Sequence, residues 1–218
     1  MTPIAKPEAR KRKSPFLGDG PKSARWTVLF AHGAGAGLDS PFMAAAAQGL
    51  AARGLRVLRF EFPYMAERRL SGKKRPPDRM PVLLDAWRGA VRNANATRLI
   101  LAGKSMGGRA ASLIADETGA AGLLCFGFPF HPPGKAKNPE RIAHLARLKV
   151  PALIVQGERD PFGGQAEIAK MTLSPAIRLR WVADGDHDLK PRKSSGFDAD
   201  DLFQQALDAA AAFVRGLD

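Results

Sequence analysis

The stretch Arg98-Leu-Ile-Leu-Ala-Gly103-Lys-Ser105-Met-Gly107-Gly-Arg109 constrains this chain more than any other. An apolar run that reads as a strand ends in Gly-x-Ser-x-Gly, and the residues from about Gly108 to Asp116 read as a helix. A serine on so tight a strand-to-helix turn projects its hydroxyl above the sheet edge, while the flanking glycines let strand and helix approach. The helix N-terminus favours negative charge there, as develops when an acyl carbon is attacked. Gly-Lys-Ser also invites a phosphate-loop reading. That motif needs a glycine where Arg98 stands, so the reading fails and a purely structural glycine turn is left as the alternative.

A serine alcohol is a poor nucleophile until a base takes its proton. The chain has 4 histidines: His32, His131, His144 and His187. His187 lies in Asp184-Gly-Asp-His-Asp-Leu189, just after the last apolar strand, on a loop able to reach the same sheet edge. His144 falls in a predicted helix as a surface or packing residue, and His131, beside prolines, is a second candidate for a pocket wall. The acid is expected between serine and histidine in chain order, at a strand end. Asp160 in Gln156-Gly-Glu-Arg-Asp-Pro161 meets that, with Glu158 as the alternative. Asp184, Asp186 and Asp188 stand too near His187 in sequence to reach its ring. The loop Phe30-Ala-His-Gly-Ala-Gly-Ala-Gly37 follows the first strand, and the N–H groups of Ala34 and Met106 are the expected oxyanion donors, with His32 structural. A dinucleotide fingerprint would need its third glycine at Leu38.

Elsewhere strands and helices alternate. Apolar runs at 26–31, 55–60, 98–102, 121–126, 152–156 and 177–182 predict six strands, several apolar throughout, as in a largely parallel sheet covered on both faces. Helices are expected over 40–53, 81–94, 139–148, 165–171 and 200–215, with 61–80 a long irregular connection. Residues 1–24 read as a basic, irregular arm and 25–218 as one domain.

The hydrophobic fraction of 45% is ordinary, and no window has the roughly 18 apolar residues of a membrane helix. The start of the chain lacks the apolar stretch of a secretory signal. Cys125 is the sole cysteine, which excludes an internal disulfide and a cysteine metal site. A cytoplasmic location follows as the simplest expectation. The net charge of +13 gathers at Arg10–Lys13 and Arg68–Arg79, but no nucleic-acid-binding motif accompanies it, so a solvated basic surface is expected and not a nucleic-acid partner.

The segments HGAGAG, GKSMGG, QGERDPFG and GDHDLK, in that order, resemble the α/β-hydrolase superfamily. The likeness is to compact members near the dienelactone-hydrolase-like branch and to a hydrolase-like family whose eukaryotic relatives include scaffold subunits of chromatin-modifying complexes. It covers about residues 25–216. The resemblance implies an α/β-hydrolase fold, with a mostly parallel sheet of about six or seven strands, helices on both faces and no large lid domain. It further implies Ser105 as nucleophile, Asp160 as acid, His187 as base, Ala34 and Met106 as oxyanion donors, and no metal or organic cofactor. Phe42, Tyr64, Met65, Phe130 and Phe162 are expected to line a substrate pocket. Lys104, where an aromatic or histidine is more usual, points to a substrate with negative charge. The expected activity is hydrolysis of an ester, thioester or related acyl bond of a small soluble molecule; a scaffold with little turnover is the alternative. The sequence sets no oligomeric state.

Overall fold

The computed structural model describes residues 15–134 and 138–217. The strands are β1 (Leu17–Asp19), β2 (Thr27–Ala31), β3 (Arg56–Phe60), β4 (Leu99–Lys104), β5 (Gly122–Phe126), β6 (Ala152–Gly157) and β7 (Ile177–Val182). The helices are α1 (Pro41–Ala52), α2 (Pro63–Ser71), α3 (Met80–Ala94), α4 (Met106–Ile114), α5 (Gln165–Ile168) and α6 (Ala199–Arg215). Among the described residues seven strands form one sheet in the order β1-β3-β2-β4-β5-β6-β7. Every pairing is parallel except that of β1 with β3.

The apolar strands are continuous because both sheet faces are covered. Alternate residues point to opposite faces. Val28, Phe30, Ile100, Leu124 and Phe126 share a core with α1 and α6, while Leu29, Leu101, Leu123 and Cys125 share one with α3 and α4. Parallel pairing brings the C-terminal ends of β2, β4, β5 and β6 to one edge. Chain order reverses across β2, with β3 on one side and β4 on the other. In open α/β sheets a crevice forms outside the strand ends at such a point.

Three expectations need correction. The connection over 61–80 contains α2, with Pro63 in its first turn and Gly72 closing it at φ 69°. The helix expected over 139–148 is two short 3-10 turns, Pro139–Arg141 and Ala143–Arg147. The end of the expected irregular arm is strand β1, paired to β3 through Leu17 and Arg59. Arg10–Lys13 lies outside the described residues. Among the described residues no helix is long and apolar enough to cross a membrane.

Candidate active site

Ser105 stands between the last residue of β4 and the first of α4, at φ 50° and ψ −118°. A residue with a β-carbon holds that conformation only when its surroundings enforce it. A β-carbon on Gly103 would meet the Gly108 nitrogen at 2.1 Å, and one on Gly107 would meet the His32 carbonyl oxygen at 2.5 Å. Glycine at both places therefore lets α4 start directly against β4 and β2. The Ser105 N–H donates to the Phe126 carbonyl at 3.0 Å, and its own carbonyl accepts from the Arg109 N–H at 3.0 Å.

His187 lies on the loop after β7, with its Nε2 2.8 Å from Ser105 Oγ. Its Nδ1 is 2.9 Å from Asp160 Oδ2 and 3.1 Å from Oδ1. The Asp160 side chain is fully buried, 0% exposed, while the imidazole keeps 21%. The carboxylate also accepts from Gln156 Nε2 at 2.8 Å and from the Phe162 N–H at 2.8 Å. Gln156 in turn bonds the Phe128 N–H and carbonyl. The Asp160 carboxylate is thus clamped by the end of β6 and the loop after it. Phe162 packs on the imidazole at a ring distance of 4.2 Å. Sequence reasoning passed over Gln156, whose only signal is a polar residue closing an apolar strand. Glu158 accepts from the Asp184 N–H at 2.9 Å, and Asp184 pairs with Arg159 and Arg192, so both brace the loop that carries His187.

His32 is buried, and burial pushes its pKa down. Its Nε2 accepts from the Phe62 N–H at 3.1 Å, so its Nδ1 donates to the Gly33 carbonyl at 2.7 Å. The Tyr64 hydroxyl lies 3.1 Å from that carbonyl and 2.9 Å from that of Ala34. Burial raises the Tyr64 pKa to about 12, so it stays a donor. Met106 opens α4, so its N–H has no acceptor within the helix.

A cavity of about 660 Å³ opens over Ser105 and His187. Phe42 and Phe162 line it, together with Pro41, Met43, Leu189 and Phe203. Three expected liners do not. Tyr64 is buried under the Gly33–Ala34 turn, Met65 packs into the core, and Phe130 packs on Phe128 at 4.8 Å. Tyr64 and Met65 serve as core because residues 63–71 form helix α2 and not the expected irregular connection, which turns both side chains inward. His131 pairs with Glu167 at 3.0 Å and is not among the lining residues.

A family model described as an alpha/beta hydrolase domain matches residues 24–215. The chain belongs to that family. A comparison with curated proteins gives no match. Among solved structures, an α/β serine hydrolase homologue from Coxiella burnetii has a TM-score of 0.64 at 19% identity, covering 93% of this chain and 91% of that one. A dienelactone hydrolase from Anabaena variabilis scores 0.66 at 23% identity, covering 90% and 88%. A serine hydrolase without a lid from Xanthomonas campestris scores 0.62 at 18% identity, covering 93% and 86%. These likenesses are of fold.

In this α/β-hydrolase Lys104 turns inward. It is 7% exposed, its ammonium donates to the His187 carbonyl at 2.5 Å and pairs with Asp188 at 3.1 Å, and it sits 5.2 Å from the Phe42 ring centre. Desolvation lowers its pKa against the opposing pull of Asp188. A second serine–histidine contact, Ser112 with His144 at 2.8 Å, differs from the first. The Ser112 hydroxyl is given to the Arg109 carbonyl, and among the described residues no carboxylate bonds to His144. The basic segment 68–79 is partly neutralised, since Arg69 meets Asp39 and Glu61, and Arg75 meets Glu67 and Asp78. Among the described residues no cluster of His, Cys, Asp and Glu could hold a metal ion.

Proposed function

We propose that this α/β-hydrolase cleaves an ester, thioester or related acyl bond of a small molecule, with Ser105 as nucleophile, His187 as base and Asp160 as orienting acid. The contact that carries the reading is His187 Nε2 at 2.8 Å from Ser105 Oγ, in reach for proton transfer. In the first step Ser105 Oγ bonds to the acyl carbon as its proton passes to His187 Nε2. The leaving group then departs with that proton. Water, giving a proton to the same nitrogen, attacks the acyl-serine; the bond from the acyl carbon to Ser105 Oγ then breaks, Oγ takes that proton back from His187, and the acid is released. Buried Asp160 keeps the Nδ1 proton in place and balances the imidazolium.

The oxyanion donors in this reading are the N–H groups of Ala34 and Met106. A trans peptide carries its carbonyl and N–H on opposite sides. His32 and Tyr64 both hold the Gly33 carbonyl, which turns the Ala34 N–H away from them. Ala34 and Ser105 line one cavity and Tyr64 is not among its lining residues, which supports an Ala34 N–H facing the substrate. The apolar wall formed by Phe42, Met43, Leu189 and Phe203 suits an acyl group better than a charged one. Ser105→Ala tests the reading. Ester turnover by the purified protein should fall by about 10⁴-fold or more with the melting temperature held. Near-wild-type turnover in a folded variant would place the nucleophile elsewhere.

A further inference from the structure

Several arginines of this protein meet a carboxylate: Arg59 meets Asp19, Arg53 meets Asp208, and Arg159 and Arg192 share Asp184. Among the described residues, Arg109 and Arg141 meet none. Both are half-buried and adjacent, with Arg109 Nη2 donating to the Arg141 carbonyl at 3.4 Å. Arg141 Nε donates to the Pro129 carbonyl at 3.2 Å, while Arg109 Nε is buried with no acceptor among the described residues. His144 completes the cluster. The Ser112 hydroxyl donates to the Arg109 carbonyl at 2.8 Å, so His144 Nε2 is the donor to Ser112 and Nδ1 keeps its lone pair.

Two guanidiniums with no balancing carboxylate repel each other, and partial burial strengthens the repulsion. The shifts of Arg109 and His144 carry part of this repulsion. Burial and then Arg141 hold the Arg109 pKa down to about 10, burial lowers that of Arg141, and burial and then Arg109 hold His144 at about 4. Each is pushed toward its less positive form. A guanidinium has five N–H donors in a planar fork, and the contacts above use one from each arginine.

We infer that Arg109, Arg141 and His144 form an oxyanion site that takes the phosphate or carboxylate group of a small ligand. None of the three lines the acyl cavity, so the site is separate from it. Arg109 supplies one guanidinium from α4 and Arg141 the other from the 3-10 turn Pro139–Arg141. A bidentate oxyanion fits such forks, and each bond is charge-assisted. An anion held there favours the protonated imidazole of His144. The inference stands apart from the chemistry proposed for Ser105.

The test is imidazole NMR of the full chain, titrated with inorganic phosphate and separately with acetate, against chloride at matched ionic strength. The expected result is a saturable shift of the His144 resonances with one of the two oxyanions, and a His144 titration midpoint that moves up from about 4 toward 6.5. Arg141→Gln should weaken that binding by about tenfold or more, and Arg141→Lys, which keeps the charge without the fork, should recover only part of it. If Arg141→Gln lowers the melting temperature, Arg141→Lys alone is compared with wild type. The inference is overturned if neither oxyanion shifts His144 beyond chloride, or if the folded variants bind as wild type does.

Discussion

Ser105 is held in a conformation that an isolated serine avoids, and the holding groups are small or backbone: Gly103, Gly107 and the Phe126 carbonyl. That requirement was legible in the sequence because only glycine fits where two backbones meet. The chemical types and chain order of Ser105, Asp160 and His187 were legible for the same kind of reason, since each falls at a strand end on one sheet edge. What Tyr64, Gln156 and Lys104 do was not. Their partners are the Gly33–Ala34 turn, the Phe128 backbone and the His187 carbonyl, brought in from distant chain, and nothing local in the sequence announces them. Lys104 had pointed to a charged substrate, yet its ammonium is engaged by Asp188 and the His187 carbonyl. Its effect should therefore run through the placement of His187. With a matched pair of neutral and anionic esters, Lys104→Met is expected to lower kcat about 10- to 100-fold for both and leave both KM values near wild type. A rise in KM for the anionic ester alone, with kcat kept, would make Lys104 a substrate-charge selector instead.

Helix α4 begins just after Ser105 and carries Arg109 one turn further on, where the 3-10 turns of 139–147 close over it through Arg141 and His144. This clasp has a pH signature. The folded pKa of His144 is about 4 against an ordinary 6.5. Between those values the unfolded chain takes a proton there that the folded chain refuses, so stability is full above about pH 6.5, declines as the pH falls toward 4, and loses no more from this group below. Burial lowers the His32 pKa too, and its effect has the same sign, so the comparison must be with a variant. In urea denaturation at pH 7 and pH 4, His144→Gln should lose less stability on acidification than wild type, by roughly 1–3 kcal/mol after allowance for partial exposure. Equal losses in the two proteins would mean that His144 titrates normally. Elements such as β2 and β5 were legible as unbroken apolar runs. By contrast, β1 is three residues at a sheet edge with two exposed, too short for any alternation to register. Helix α2 lies in a proline-rich, strongly basic segment, and it is fixed by Tyr64 and Met65 reaching into the core.

Across the whole molecule, the order of the sheet sets the site at its C-terminal edge, and α1 and α6 supply the apolar wall through Phe42, Met43 and Phe203. Among the described residues there is no large lid over that cavity. If the wall receives the acyl group, each added methylene contributes about 0.8 kcal/mol of transfer free energy. In a series of p-nitrophenyl esters, kcat/KM should then rise about fourfold per methylene until the cavity fills. A preference for acetate that declines with each added carbon would assign the wall to the leaving group. Both experiments presuppose an activated serine. The most direct test of that is labelling of the purified protein with a fluorophosphonate, followed by peptide mass mapping. The account predicts an adduct on Ser105 that is lost in His187→Ala. No adduct under conditions that label a control hydrolase, or an adduct that persists in His187→Ala, would contradict it.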